Sequence, residues 1–156
     1  MPHSQARSLT AAEIALARSV FGDSIDYSDV RMVLSTWWPF QPRNAAMAPC
    51  GNVHFHPAGN LWSEDFSKES ISLQGFWIHE MVHVWQAQRW GRHYLPLMRH
   101  PLARYRYDLK PGKPFARYGL EQQAEIVRHH FLADCGWKIA APPRSLLPFC
   151  PEAAEL

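Results

Sequence analysis

The sequence predicts an α+β domain, and three observations carry that reading. A proline-free stretch from 70 to 90 is apolar at 73, 76, 77, 81, 82, 84, 85 and 90, too many positions for one face of a surface helix. A second helical pattern runs over 119–135 with Leu120, Ile126, Val127, Phe131 and Leu132 as its apolar set. Ahead of both lie short β-rich segments bounded by glycine and proline, the signature of a small sheet.

The elements follow in order. Thr10-Ala11-Ala12-Glu13 is a capping box, Leu9 and Ile14 flank it as a hydrophobic staple, and Gly22 stops the chain, so a helix is predicted over 10–21. Val30 to Leu34 is β-rich, and the Trp38-Pro39-Phe40-Gln41-Pro42 run after it cannot continue a ladder. Asn52 to His56 alternates cleanly between Gly51 and Pro57, which predicts a second strand, with a third piece expected around Leu61-Trp62. The 70–90 helix ends at Gly91, with Arg89 and Arg92 beside its negative pole. Prolines at 96, 101, 111 and 114 make 92–118 a structured excursion, and Gly136 closes the 119–135 helix. Prolines at 142, 143, 148 and 151 predict an extended tail from about 140.

Composition bounds the function. At 156 residues and 47% hydrophobic, the chain is one domain's worth with enough apolar surface for a sizeable core, so residues 1–156 are expected to form a single unit. Sixteen Lys+Arg against fourteen Asp+Glu leave a formal charge of +2, which gives no whole-molecule reason to expect nucleic acid or an anionic membrane as partner. No window approaches the ~18 apolar residues of a membrane span, and Arg7, Glu13 and Arg18 interrupt the N-terminal apolar stretch where a secretory signal would be uncharged. A soluble, cytoplasmic protein as encoded is the expectation. Cys50, Cys135 and Cys150 are odd in number and lack C-x-x-C spacing, so neither a disulfide framework nor a four-cysteine metal site is indicated.

Chemistry concentrates on the buried helix. His79-Glu80-Met81-Val82-His83 is an H-E-x-x-H pattern, and residues i and i+4 lie a turn apart on one helix face, so both imidazoles can converge on one ion. Glu80, offset by about 100°, can reach a water at that ion without ligating it. Two neutral nitrogens with an open position suit zinc, one per chain, and the chemistry implied is hydrolysis with Glu80 as general base. The longer H-E-x-x-H-x-x-G-x-x-H form is absent, because Gln86 and Arg89 stand at its glycine and last histidine. A third ligand must come from farther along. Glu121 and Glu125 share one face of the 119–135 helix; one carboxylate can bind the metal while the other orients a ligand histidine.

His79 to His83 followed by Glu121-x-x-Ala124-Glu125 resembles the glutamate-ligand zincin metallopeptidases (gluzincins), whose H-E-x-x-H is completed by E-x-x-A-D on the next helix. The resemblance implies a zincin-like fold, a peptide or protein substrate, Glu121 as third ligand and Glu125 as its supporter. Glu125 departs from the usual aspartate, so the two roles could be exchanged. A wider match covers 9–21, Trp37 to Phe40, His54 to Pro57, Ile78 to Gln86 and Tyr118 to Val127, and resembles small bacterial proteins described as Vgr-related or Rhs-associated. It implies a setting in type VI or related secretion, with export by a dedicated system, and leaves the substrate open.

Weaker candidates surround this core. His54 and His56 share one side of a strand; His129 and His130, being adjacent, point to different helix faces and read as structural; Asp108 and Asp134 are alternative third ligands without supporting partners. Basic residues at 92, 99, 104, 106, 110, 113 and 117 alternate with Tyr94, Tyr105, Tyr107, Phe115 and Tyr118. This pattern fits a cleft wall better than a single-stranded nucleic-acid track, given the prolines and the position between the two metal-bearing helices. A tyrosine from this wall, with Tyr118 first because it closely precedes Glu121, is a candidate oxyanion stabiliser. The rival to a zinc metallopeptidase is a catalytically silent domain that keeps its metal as a staple and serves as an interaction or assembly module.

Overall fold

The computed structural model describes residues 5–93 and 105–149. Among the described residues it is an α+β arrangement of a four-stranded sheet and three α-helices. The elements are β1 Gln5–Ser8, α1 Ala11–Phe21, β2 Arg31–Leu34, β3 Ala46–Met47, β4 Val53–Phe55, α2 Ile71–Trp90 and α3 Leu120–Asp134. The sheet order is β1-β2-β4-β3. β1 runs antiparallel to β2 with Gln5 opposite Leu34 and Ser8 opposite Arg31; β2 and β4 are parallel with Met32 opposite Val53; β3 lies antiparallel to β4 with Ala46 opposite Phe55.

The expected third strand at Leu61-Trp62 is not formed. The outer positions belong to β1 and β3. At the Pro57-Ala58-Gly59-Asn60 turn, Gly59 packs on the Arg43 carbonyl so closely that a Cβ would overlap it, and the chain is led off the sheet there. Trp62 contributes its ring instead, edge-on to Phe55 at 5.6 Å.

Helix α1 begins as its sequence dictates. Thr10 Oγ1 accepts from the Glu13 amide at 3.0 Å, and Glu13 Oε2 accepts from the Thr10 amide at 2.9 Å. Glu13 does more than cap. Wholly buried, it also takes two hydrogen bonds from the Arg7 guanidinium, at 2.9 and 2.8 Å, and one from the Phe66 amide at 2.8 Å, so one carboxylate joins β1, α1 and the turn ahead of α2.

Helix α2 is capped by Ser70, whose side chain accepts from Leu73 N, and is buried continuously from residue 77 to 87. Its link to the sheet is aromatic: Phe55, Phe66 and Trp77 stack in sequence at 5.6 and 5.8 Å. Its link to α3 depends on Gly75, where a Cβ would stand 2.8 Å from Leu132 Cδ2. The missing side chain lets the two helices approach, and α3 thereby brings Glu121 and Glu125 to the H-E-x-x-H face.

The proline-rich tail departs from a simple extended strand. His130 Nδ1 lies 3.2 Å from the Pro142 carbonyl, a single 3₁₀ turn follows at Arg144–Leu146, and Phe149 is buried edge-on against Phe21 at 4.8 Å and Trp85 at 4.9 Å. Apolar Leu147 and Phe149 between prolines are what draw it into the core. No helix among the described residues is long and apolar enough to cross a membrane.

Candidate metal centre

Burial of α2 on nearly all sides puts His79, Glu80 and His83 in the protein interior, at 7%, 6% and 7% exposure, where imidazoles and a carboxylate must find partners. The ring planes of His79 and His83 stand 77° apart with centroids 5.1 Å apart, and each presents Nε2 to the same oxygen: Glu121 Oε2 lies 3.2 Å from His79 Nε2 and 3.1 Å from His83 Nε2. Among the described residues these three form the group able to hold an ion, with ligand atoms all within 4.8 Å of one another.

The opposite ring nitrogens are also occupied. His83 Nδ1 faces Gln86 Oε1 at 2.8 Å, and the amide of Gln86 is oriented by donating from Nε2 to Gln123 Oε1 and to the Leu120 carbonyl. Gln123 in turn donates to the Tyr118 carbonyl. His79 Nδ1 faces Glu125 Oε1 at 3.2 Å. Oxygen acceptors at both Nδ1 positions require N–H there, which leaves the Nε2 lone pairs aimed at a carboxylate that is itself only an acceptor. Three lone pairs meeting in a buried space need a positive charge between them.

A proton on His79 is one way to meet that need. Burial favours the neutral ring, but the hydrogen bonds to Glu121 and Glu125 and the charge of Glu80 outweigh it, and the His79 pKa is pushed up to about 10. Burial likewise opposes ionisation of Glu121, yet the two histidines hold its carboxyl far below the usual carboxylate range. Glu125 is lowered too, against its burial, by His79, Arg128 and His129. A divalent cation is the other way. Ligands at roughly 2.1 Å on a tetrahedral zinc stand about 3.4 Å apart, close to the 3.1 and 3.2 Å found between the histidines and Glu121. Two neutral nitrogens and one carboxylate oxygen, each histidine backed by an oxygen at Nδ1, therefore fit such an ion.

Around Glu125 a further network extends outward. Arg128 Nη1 lies 3.2 Å and His129 Nε2 3.4 Å from Glu125 Oε2, and the Tyr107 hydroxyl lies 2.6 Å from His129 Nδ1. Burial and the negative charge of Glu125 push the Tyr107 phenol up to about 12, so it stays neutral and can donate. His129 is thus part of the site's surroundings rather than a remote structural residue, while its neighbour His130 faces Asp134 at 3.2 Å.

The remaining candidates fall as follows. The Tyr118 ring is buried under Lys113, and its hydroxyl accepts from the Lys110 amide at 3.1 Å. Tyr105, half exposed, lies beside the site with its ring nearly parallel to that of His79 at 6.0 Å. The aromatic alternation of 92–118 includes both tyrosines, but spacing could not say which one lies beside His79. His54 Nδ1 lies 3.3 Å from the Ser35 carbonyl, and His56 Nδ1 accepts from the Ala58 amide. Asp108 is exposed. Cys50 and Cys135 are free thiols, whereas Cys150, Tyr94, Arg99 and Arg104 lie outside the described residues. The sequence marked Gln86 only as a departure from the longer motif and gave no role to Gln123, since a buried glutamine carries no spacing signal of its own.

No known protein-family model matches the chain. It is 44% identical over 133 residues, 81% of its length, to the type VI secretion system spike protein VgrG2b of Pseudomonas aeruginosa, and spans 13% of that protein. It is also similar to a solved structure, the effector domain of Pseudomonas aeruginosa VgrG2b, at 40% identity and a TM-score of 0.72, covering 83% of this chain and 75% of that one. With identity this high over three quarters of the solved domain, the chain belongs to the VgrG2b effector-domain family.

Proposed function

We propose that this domain is a zinc-dependent metallopeptidase of zincin-like architecture that works as an effector of a type VI secretion system. The observation that carries the reading is the convergence of His79 Nε2 and His83 Nε2 on Glu121 Oε2, with Glu80 between the histidines on the same helix. His79, His83 and Glu121 would hold one zinc ion, and Glu125 and Gln86 would fix the two histidines from behind. Zinc in such a site supplies a Lewis acid that polarises a peptide carbonyl and eases deprotonation of a water. Glu80 takes the proton from the attacking water and returns it to the leaving amine. Tyr105, whose ring lies beside that of His79, is the first candidate to contact the carbonyl oxygen, and Tyr118, buried with its hydroxyl accepting from the Lys110 amide, is the alternative. The VgrG2b relationship supports delivery by a secretion machine; the substrate class, peptide or protein, follows from the hydrolytic reading. Residues 1–156 are proposed to act as one unit.

The test pairs elemental analysis with Glu80→Gln. The expected result is one zinc per chain in both proteins, chelator-sensitive cleavage of unfolded or peptide substrates by the unaltered chain, and a loss of at least ~100-fold in the variant. Equal cleavage by both would identify a contaminating protease. Zinc in both, with no cleavage across a diverse peptide library, would replace the enzyme with a metal-stabilised assembly module.

A further inference from the structure

The second ring nitrogen of His79 is held by Glu125, and Glu125 does not stand alone. Its Oε2 faces His129 Nε2 at 3.4 Å, and His129 Nδ1 faces the Tyr107 hydroxyl at 2.6 Å. A carboxylate only accepts, so the imidazole nitrogen facing it must carry hydrogen. In a neutral ring the other nitrogen then accepts, and the phenol is its donor. The order of donors is thereby fixed from Tyr107 O–H to His129 Nδ1 and from His129 Nε2–H to Glu125, whose Oε1 takes the proton of His79 Nδ1 and leaves the His79 Nε2 lone pair facing Glu121. Two further contacts hold the start of this chain in place. Tyr105 lies against the His79 ring, and Gln122 of α3 donates to the Arg106 carbonyl at 2.8 Å, so residues 105–107 are tied to the same helix that bears Glu121 and Glu125.

We infer that Tyr107 and His129 are positioning residues of the metal centre, which hold Glu125 in place behind His79 and couple the docking of residues 105–107 to metal affinity. The inference rests on the metal reading above and extends it to two residues that touch no ligand atom. Removing the Tyr107 hydroxyl leaves His129 Nδ1 without its donor and unties residues 105–107 from α3 at this point, so the His129 ring is free to turn and its support of Glu125 behind His79 weakens. His129→Gln keeps an amide N–H that can face Glu125 but lacks the ring nitrogen that Tyr107 holds, so it should bypass Tyr107.

Zinc competition against a chromophoric chelator gives the first test, with circular dichroism and thermal unfolding of the metal-free proteins as controls for folding. Loss of a partner in direct contact with a ligand histidine typically costs 10–100-fold, so Tyr107→Phe, one residue farther out, is expected to weaken zinc binding by about 3–10-fold. In the His129→Gln background, Tyr107→Phe should have no further effect. Unchanged affinity in Tyr107→Phe, or the same loss in both backgrounds, would overturn the inference while leaving the metal site intact. Absence of zinc binding by the unaltered protein would instead defeat the metal reading and this inference with it. A second measurement needs no metal: long-range ¹⁵N–¹H correlation spectra of the metal-free protein should show His129 as the Nε2–H tautomer, with its Nδ1 resonance shifted in Tyr107→Phe as the hydrogen bond it accepts is lost. A Nδ1–H ring in the unaltered protein would reject the chain of donors.

Discussion

At the residue scale, the site is a competition between a proton and a metal for the same three lone pairs. His79 has its pKa raised from 6.5 to about 10 in the metal-free protein, so its ion pairs contribute stability fully below pH 6.5 and lose it as pH climbs toward 10. The metal-free protein should therefore melt progressively lower in chelator between pH 7 and 10. Zinc must displace that proton, so apparent affinity should rise about tenfold per pH unit between pH 6 and 8, with roughly one proton released, measurable by calorimetry in buffers of different ionisation enthalpy. The two acids separate on geometry. Glu121 faces both histidines from the side of the metal, Glu125 only His79 from behind, so Glu121→Gln should lose more zinc affinity than Glu125→Gln, whose cost should fall near 10–100-fold. The reverse order in a competition titration would exchange their roles. The two histidines and the Glu121 and Glu125 pair were legible as neighbours because i, i+4 spacing on a helix is a geometric statement in itself. Tyr105, Gln86 and the Tyr107-His129 arm were not, because loop direction and the choice of amide or imidazole partner are set by contacts distant in sequence.

At the element scale, the helices were legible and part of the sheet was not. Helices α1, α2 and α3 run for 11, 20 and 15 residues, long enough for caps, terminal glycines and apolar spacing to agree on each. Strand β3 has two residues and β1 is the polar Gln-Ala-Arg-Ser at a sheet edge, so neither presents a period or a buried face to read. What no single element reveals is the approach of α2 to α3. Gly75→Ala would put a methyl 2.8 Å from Leu132 Cδ2 in a site where Leu132 is only 2% exposed, and the helices must shift or Leu132 must leave its rotamer. Expected is a loss of about 1–3 kcal/mol in denaturant unfolding together with weaker zinc binding, since α3 carries Glu121. Leu132→Ala in the same chain should recover the zinc affinity even though it adds a cavity elsewhere in the helix interface. Recovery of neither property would mean that Gly75 does not set the spacing.

At the scale of the whole molecule, the sheet half and the helix half are joined at two kinds of contact. One is the Phe55, Phe66 and Trp77 stack, which any shift of α2 would disturb; the other is the Glu13 carboxylate, which a capping-box reading identified only as a local device. Four donors converge on it: Arg7 Nη1 and the Thr10 amide on Oε2, Arg7 Nη2 and the Phe66 amide on Oε1. Its partners lie on β1, at the start of α1 and fifty-three residues onward, so only the folded chain shows it as a junction. Glutamine has the same shape but a single acceptor oxygen, and whichever way its amide turns, its NH₂ must face two of those donors in a wholly buried place. Glu13→Gln should accordingly cost about 3–5 kcal/mol, the range for breaking a buried ion pair on one side only. It should appear as a lower urea midpoint with an unchanged slope. Because the residue touches neither the histidines nor α3, the zinc affinity of the fraction still folded should stay within about twofold, as expected of well-separated sites that act independently. A large loss of affinity without loss of stability would show instead that Glu13 reaches the metal centre through α2.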